Sequence, residues 1–180
     1  NFNTSQVIDM NQMFYGCKSL TSLKGLSNFD TDQVNYMNGM FADCNSLTSL
    51  DLSNFNTSQV TDMNKMFYVC KSLTSLDLSS FNTSQVTTMQ NMFYGCESLT
   101  SLNLSNFDTS KVTIASTMLQ GCNKLHTLRL DNCNDDTIRK IITSSHFPTG
   151  DIGVIRKIYC NRSAAYNLTP PDGWVFALTE

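Results

Sequence analysis

Seven cysteines and two histidines are the residues of this 180-residue chain best suited to nucleophilic, redox or metal chemistry. Five of the cysteines, Cys17, Cys44, Cys70, Cys96 and Cys122, return at steps of 27, 26, 26 and 26 residues. None belongs to a Cys-x-x-Cys pair, so neither metal chelation nor dithiol exchange has local support. Each ends an apolar stripe, where a thiolate is disfavoured and cysteine behaves as a small hydrophobe. They are expected to be buried free thiols. A disulfide ladder would need neighbouring Cα atoms within ~7 Å, whereas stacked helices sit ~8–10 Å apart. Cys133 and Cys160 fall outside the period, and whether they pair with each other stays open. A thiol hydrolase using Cys160 with His146 lacks a third, orienting group, and His126 lies elsewhere, so catalysis is not expected. With no His/Asp/Glu cluster and no D-x-D-x-D-G loop, neither a metal nor any other cofactor is expected.

The elements that carry these cysteines follow from the unit LTSLDLSNFNTSQVTDMNKMFYVCKS, complete from Leu47 to Ser72. A fixed period of this size indicates a solenoid made by stacking one supersecondary unit on the next. Leucines recur at 20, 47, 73, 99 and 125, at 23, 50, 76, 102 and 128, and at 26, 52, 78, 104 and 130. This spacing predicts a strand whose leucines Leu50 and Leu52 face one side while Ser49, Asp51 and Ser53 face the other. In the first unit Leu23-Lys24-Gly25-Leu26 carries one extra residue, for which a bulge at Gly25 is expected. Val60, Met63, Met66, Phe67 and Cys70 then change period and predict one apolar stripe on a short helix. Thr57, Ser58 and Thr61 are its candidate caps. Phe2, Phe29, Phe55, Phe81 and Phe107 are expected to plug the space where strand turns into helix.

The pattern decays in the fifth unit at Ala115, Leu119 and Gln120 and stops after Leu130. Beyond it, Asn134, Asp135 and Asp136 open a helix carrying Ile138, Ile141 and Ile142, which Pro148-Thr149-Gly150 breaks. Val154 to Cys160 has strand character, Ser163 to Leu168 forms a short small-residue segment, and Trp174-Val175-Phe176 closes as a last strand. The predicted fold class is therefore an α/β repeat, a leucine-rich-repeat solenoid with one parallel strand and one short helix per unit and a C-terminal α/β cap. Residues 1–131 hold five units, the first truncated, and 132–180 the capping region. The opening inside a unit is expected of a piece of a longer protein, and the uncovered first unit is a candidate surface for self-association.

Charged residues make up 15% of the chain, below the usual ~25%, and the net charge is -3. That balance leaves no footprint for a phosphate backbone, so nucleic acid is not an expected partner. No apolar run approaches the ~20 residues of a membrane-spanning helix, so membrane insertion is not expected.

Two sets of residues are candidates for binding. Along the sheet face, Ser49, Asp51, Ser75, Asp77, Ser101, Asn103 and Arg129 fall into columns and would line a concave surface, either as a recognition surface or as a solubilising face of small residues. Tyr15, Tyr68 and Tyr94 form a second ladder, interrupted by Ala42 and Gln120. These rings would either stack on a sugar or protein partner or fill gaps between neighbouring helices.

With those residues in view, the chain resembles the BspA-like leucine-rich repeats of bacterial surface proteins. The Phe, Val, paired Met, Met-Phe and Cys of FxTSxVTxMxxMFxxC recur together four times within residues 1–131. The resemblance implies a secreted or surface-displayed, non-enzymatic adhesion module that binds a protein or glycan on a host or neighbouring cell. The family has no shared catalytic motif, so no functional residue is carried over from it. The alternative is a structural spacer or an assembly component of a larger surface or phage protein.

Because each unit buries its apolar side only against the next, deleting one middle unit in register is expected to leave a shorter folded protein. Deleting half a unit is expected to abolish cooperative thermal melting. Equal melting of the two variants would refute the stacking of units.

Overall fold

The computed structural model describes residues 3–144, 146–148 and 154–178. The expected contributions of Phe2, Thr149 and Gly150 lie outside these. The chain is α/β. Four parallel strands, β1 (Ser101–Asn103), β2 (Thr127–Leu130), β3 (Arg156–Cys160) and β4 (Trp174–Leu178), pair in sequence order into one sheet. Helix α1 (Asp135–Ile142) connects β2 to β3, and α2 (Arg162–Asn167) connects β3 to β4. The register sets Leu102 against Leu128, Leu128 against Ile158 and Ile158 against Phe176, which makes one inward column across the sheet.

Strands were expected at every leucine segment, but among the described residues only the fourth and fifth of these segments, β1 and β2, form one. In the earlier units the leucine segments run extended and are tied to their neighbours by isolated bonds, such as Thr48 N to Thr21 O at 3.2 Å and Ser72 N to Asn45 O at 3.2 Å. Leucine spacing dictates which side is buried, and an extended segment satisfies it whether or not a full ladder closes. Leu47, Leu52, Leu73 and Leu78 are accordingly buried. The extra residue of the first leucine segment is taken up by Gly25, at φ 87°, followed by a 3-10 turn at Leu26–Asn28, and not by a strand bulge.

The expected helix in each unit is absent, and a chain of turns stands in its place. In the third unit Met66 N donates to Met63 O (3.3 Å), Tyr68 N to Lys65 O (3.0 Å), Cys70 N to Phe67 O (3.3 Å) and Leu73 N to Cys70 O (3.2 Å). The intervening N–H groups leave the unit altogether. Met63, Lys65, Phe67 and Val69 donate to Thr88, Gln90, Met92 and Tyr94 of the next unit, at 3.2, 3.0, 2.9 and 2.6 Å. A helix would keep all of these bonds inside its own segment. Lys65 and Val69 also have φ of 57° and 56°, which a right-handed helix cannot contain. Apolar residues three apart suit successive turns as well as a helix, and here the turns place Met63, Met66, Phe67 and Cys70 in the core.

Before these turns, single parallel bridges join Asp9, Tyr36, Asp62, Thr88 and Ile114 in succession. Side chains then repeat the unit-to-unit contact. Phe14, Phe41, Phe67 and Phe93 stack with ring centroids 5.5, 5.8 and 5.6 Å apart. Thr57, expected as a helix cap, is instead fully buried, and it bridges units through both roles of its hydroxyl. Its Oγ1 donates to Asn82 O (2.9 Å) and accepts from Asn82 N (2.8 Å). Thr31 and Thr4 do the same one and two units earlier. Thr109 extends the column to Asn134, the residue that caps α1 by accepting from Thr137 N at 2.8 Å. The C-terminal strands close the stack around buried Arg156, whose guanidinium donates to Leu125 O (2.7 Å) and Asn123 O (3.0 Å) below the Trp174 ring.

Left-handed turn positions give the fold a signature that a helix would reverse. Gly95 has φ 71°, and a Cβ placed there would lie 3.2 Å from Val69 Cγ2. Gly95→Val is expected to destabilise the protein by ~1–2 kcal/mol or more, since an L-residue pays about that in this conformation. Val69→Gly, which relieves a β-branched residue at φ 56°, is expected to raise the midpoint of denaturant unfolding. In a helix both signs would invert, because glycine is the weaker helix former there.

Candidate functional site

The sheet-face residues come together as columns, with Ser49, Asp51, Ser75, Asp77, Ser101 and Asn103 exposed and Arg129 half-buried. The polar atoms of Asp51, Asp77, Asn103 and Arg129 are engaged locally. Asp51 Oδ1 accepts from Ser53 N (3.1 Å) and Ser53 Oγ (2.7 Å), Asp77 Oδ1 from Ser79 N (2.9 Å), and Asn103 Oδ1 from Ser105 N (3.0 Å). Those donated bonds hold the Asp51 and Asp77 carboxyls below their usual pKa. Arg129 forks onto Asp131 at 3.1 and 3.2 Å and lies 5.0 Å over the Tyr159 ring. Asp51, Asp77 and Asn103 thus close the turns after their leucine segments, and Arg129 braces its neighbours.

The tyrosine ladder is split in two. Tyr68 and Tyr94 stack at 4.9 Å with 18° between their planes, whereas Tyr15 stands two units from Tyr68 with Ala42 at the position between them. Along this break runs a groove of about 650 Å³, lined by Tyr15 and Tyr68, by buried Gly39 and Ala42, and by Asp43 and Lys65. The Asp43 carboxylate faces the Tyr15 hydroxyl, and through its acceptor oxygen and its charge it holds that phenol above its ordinary pKa. Lys65 Nζ lies 5.7 Å over the Tyr68 ring. Asn64 also lines the groove, and its buried Oδ1 has no hydrogen-bond partner.

Neither Asp43, Asn64 nor Lys65 was singled out from the sequence. The signal that could have found them is departure from the period. The second unit places Ala-Asp at 42–43 where its neighbours have Tyr-Gly at 15–16 and Tyr-Val at 68–69. At the first unit a smaller apolar hollow of about 320 Å³, lined by Phe14, Leu23, Leu26 and Phe29, lies on the surface expected to self-associate.

The thiols form a structural column. Cys44, Cys70, Cys96 and Cys122 donate to the carbonyls of Phe14, Phe41, Phe67 and Phe93 in the preceding units, at 3.1–3.2 Å. Burial pushes Cys44 up to about 11 and Cys70 and Cys122 up to about 12. Cys133 and Cys160 are buried free thiols, raised by burial to about 12 and about 11. Cys17, by contrast, is exposed, contrary to the burial expected of all five repeat cysteines. The first unit has no preceding phenylalanine carbonyl among the described residues to receive its thiol. His146 lines a separate hollow with Gln120 and Pro148, and His126 Nδ1 sits 3.1 Å from Thr127 Oγ1. Among the described residues no group of three or more His, Cys, Asp or Glu is placed to hold a metal ion, and no helix is long and apolar enough to cross a membrane.

A family profile described as "Mycoplasma protein of unknown function, DUF285" matches residues 1–76 and again 51–146. Neither the curated proteins nor the solved structures contain a match.

Native protein treated with an aromatic disulfide reagent near pH 8 is expected to show one fast thiol, Cys17, and six slow ones, because only the thiolate attacks. Cys17→Ser should remove the fast phase. A fast phase that survived that change would point to a reactive thiol in the C-terminal region.

Proposed function

The chain belongs to the DUF285 family, and from that premise and the surfaces above we propose that it is a non-enzymatic binding module displayed outside the cell. We read residues 1–131 as BspA-like leucine-rich repeats stacked in a solenoid and 132–180 as its cap. The regular bonds between units and the continuation of the sheet through β3 and β4 support that reading. The proposed mechanism is contact from a rigid surface with a protein or glycan on a host or neighbouring cell. One observation carries it: the open groove between Tyr15 and Tyr68, where aromatic and polar side chains converge around a break in the tyrosine ladder. Aromatic rings flanked by hydrogen-bonding groups are what binding surfaces concentrate.

The sheet face is the weaker candidate, because Asp51, Asp77 and Arg129 are already held by their own neighbours. That same local commitment favours the alternative reading of a structural spacer, in which the columns only close turns and keep the face wet. A secreted cysteine hydrolase has little support, since Cys160 is buried and that burial raises its pKa.

The test is binding to immobilised matrix proteins and to a glycan panel, comparing the native chain with two variants. Tyr15→Ala combined with Tyr68→Ala is expected to weaken a hit by about tenfold or more, some 1.4 kcal/mol. Asp51→Ser, Asp77→Ser and Arg129→Ser together should leave the hit intact. The reverse outcome would move recognition to the sheet face, and no hit on either panel would favour the spacer.

A further inference from the structure

We propose that the groove between Tyr15 and Tyr68 holds a single neutral pyranose ring of a glycan, seated where the second unit lacks the tyrosine of its neighbours. This rests on the reading of the chain as a binding module and names the ligand of that surface.

Spacing comes first. Where two adjacent units both carry the tyrosine, as at Tyr68 and Tyr94, the rings stack at 4.9 Å. Tyr15 and Tyr68 are two units apart, so their separation along the stack is ~10 Å at the usual distance between neighbouring strands. Packed carbon atoms need ~3.5–4.0 Å, so this interval accepts one six-membered ring and not two. Ala42, buried at the intermediate position, and Gly39 add almost no side-chain bulk there. The groove is open to solvent along its length, so a glycan chain could continue beyond the seated residue.

The polar lining decides between a sugar and a hydrophobic side chain. Gln12, Asn38 and Asn64 contribute amides, Asp43 a carboxylate and Lys65 an ammonium group. These groups border the opening on several sides, so a ring with hydroxyls around its rim would meet hydrogen-bonding partners there. A leucine or phenylalanine from a protein partner would fill the same width but cover these groups without satisfying them, which carries a desolvation penalty. A pyranose ring offers apolar C–H faces toward the two tyrosines and hydroxyls around its rim toward the amides. Asp43 and Lys65 balance in charge, and the carboxylate lies beside Tyr15, so an acidic sugar gains nothing over a neutral one.

The test uses the native chain with lactose, maltotriose and chitotriose as neutral probes and sialyllactose as the acidic one, followed by saturation-transfer NMR and calorimetry. Ala42→Tyr is the decisive variant, because it restores the residue that the first, third and fourth units carry and should fold normally. At least one neutral probe is expected to bind, and Ala42→Tyr to lose about tenfold or more in affinity with an unchanged melting curve. Equal binding by Ala42→Tyr, preference for sialyllactose, or no binding of any neutral probe would overturn the proposal. If no sugar binds but Ala42→Tyr loses a matrix-protein hit, the glycan assignment fails while the binding-module reading stands. If the native chain binds neither sugars nor matrix proteins, both fail together.

Discussion

Backbone hydrogen bonds that a unit cannot make with itself are the constraint on which the rest of the structure depends. In the first four turn segments alternate N–H groups bond within the unit and the others bond to carbonyls of the next one, as Lys65, Phe67 and Val69 do to Gln90, Met92 and Tyr94. An isolated unit would leave those donors and acceptors to water and its apolar side uncovered, so its own contacts could not offset the entropy of ordering its backbone. Neighbouring units must therefore lie in register at a step of one period, and every side-chain column inherits that step.

The columns then reinforce the register with chemistry suited to burial. Buried threonines both donate to and accept from the next backbone, cysteine thiols give their weak hydrogen bonds to phenylalanine carbonyls, and phenylalanine rings stack at 5.5–5.8 Å. Each of these contacts forms only when the residue one period away is in place. Burial raises the pKa of Cys70 and Cys122, where a nucleophile would need it lowered, so these thiols serve packing. At the C-terminal end the same logic changes material. Asn134 joins the threonine column to α1, and Arg156 takes two carbonyls of the fifth unit beneath Trp174.

Identical units make ladders, and differences between units make sites. Where Tyr68 and Tyr94 are adjacent they satisfy each other by stacking. Where Ala42 interrupts the series, the flanking rings and the amides of three units border an open volume instead. The sheet-face columns, although exposed and polar, lack such an interruption, and their carboxylates turn inward on the serine two residues later. The stacked fold thus repeats the same contacts from unit to unit and leaves a groove at one break in its pattern.

The sequence alone determined the period, most of the buried leucine, phenylalanine, methionine and cysteine positions, and the α1 opening at Asn134. All of these follow from local composition and from which residues recur. It could not separate a helix from a run of turns over 60–70, because apolar residues three apart serve both, and the choice depends on whether N–H groups bond inward or to the next unit. Nor could it tell that Thr57 bridges units, that strands close only in the last two leucine segments, or that Cys17 stays exposed. Those outcomes depend on what lies one period away in space. The groove is the extreme case: Tyr15, Asp43, Asn64 and Tyr68 are spread over three units, and only stacking at a step of about 5 Å brings them around one opening.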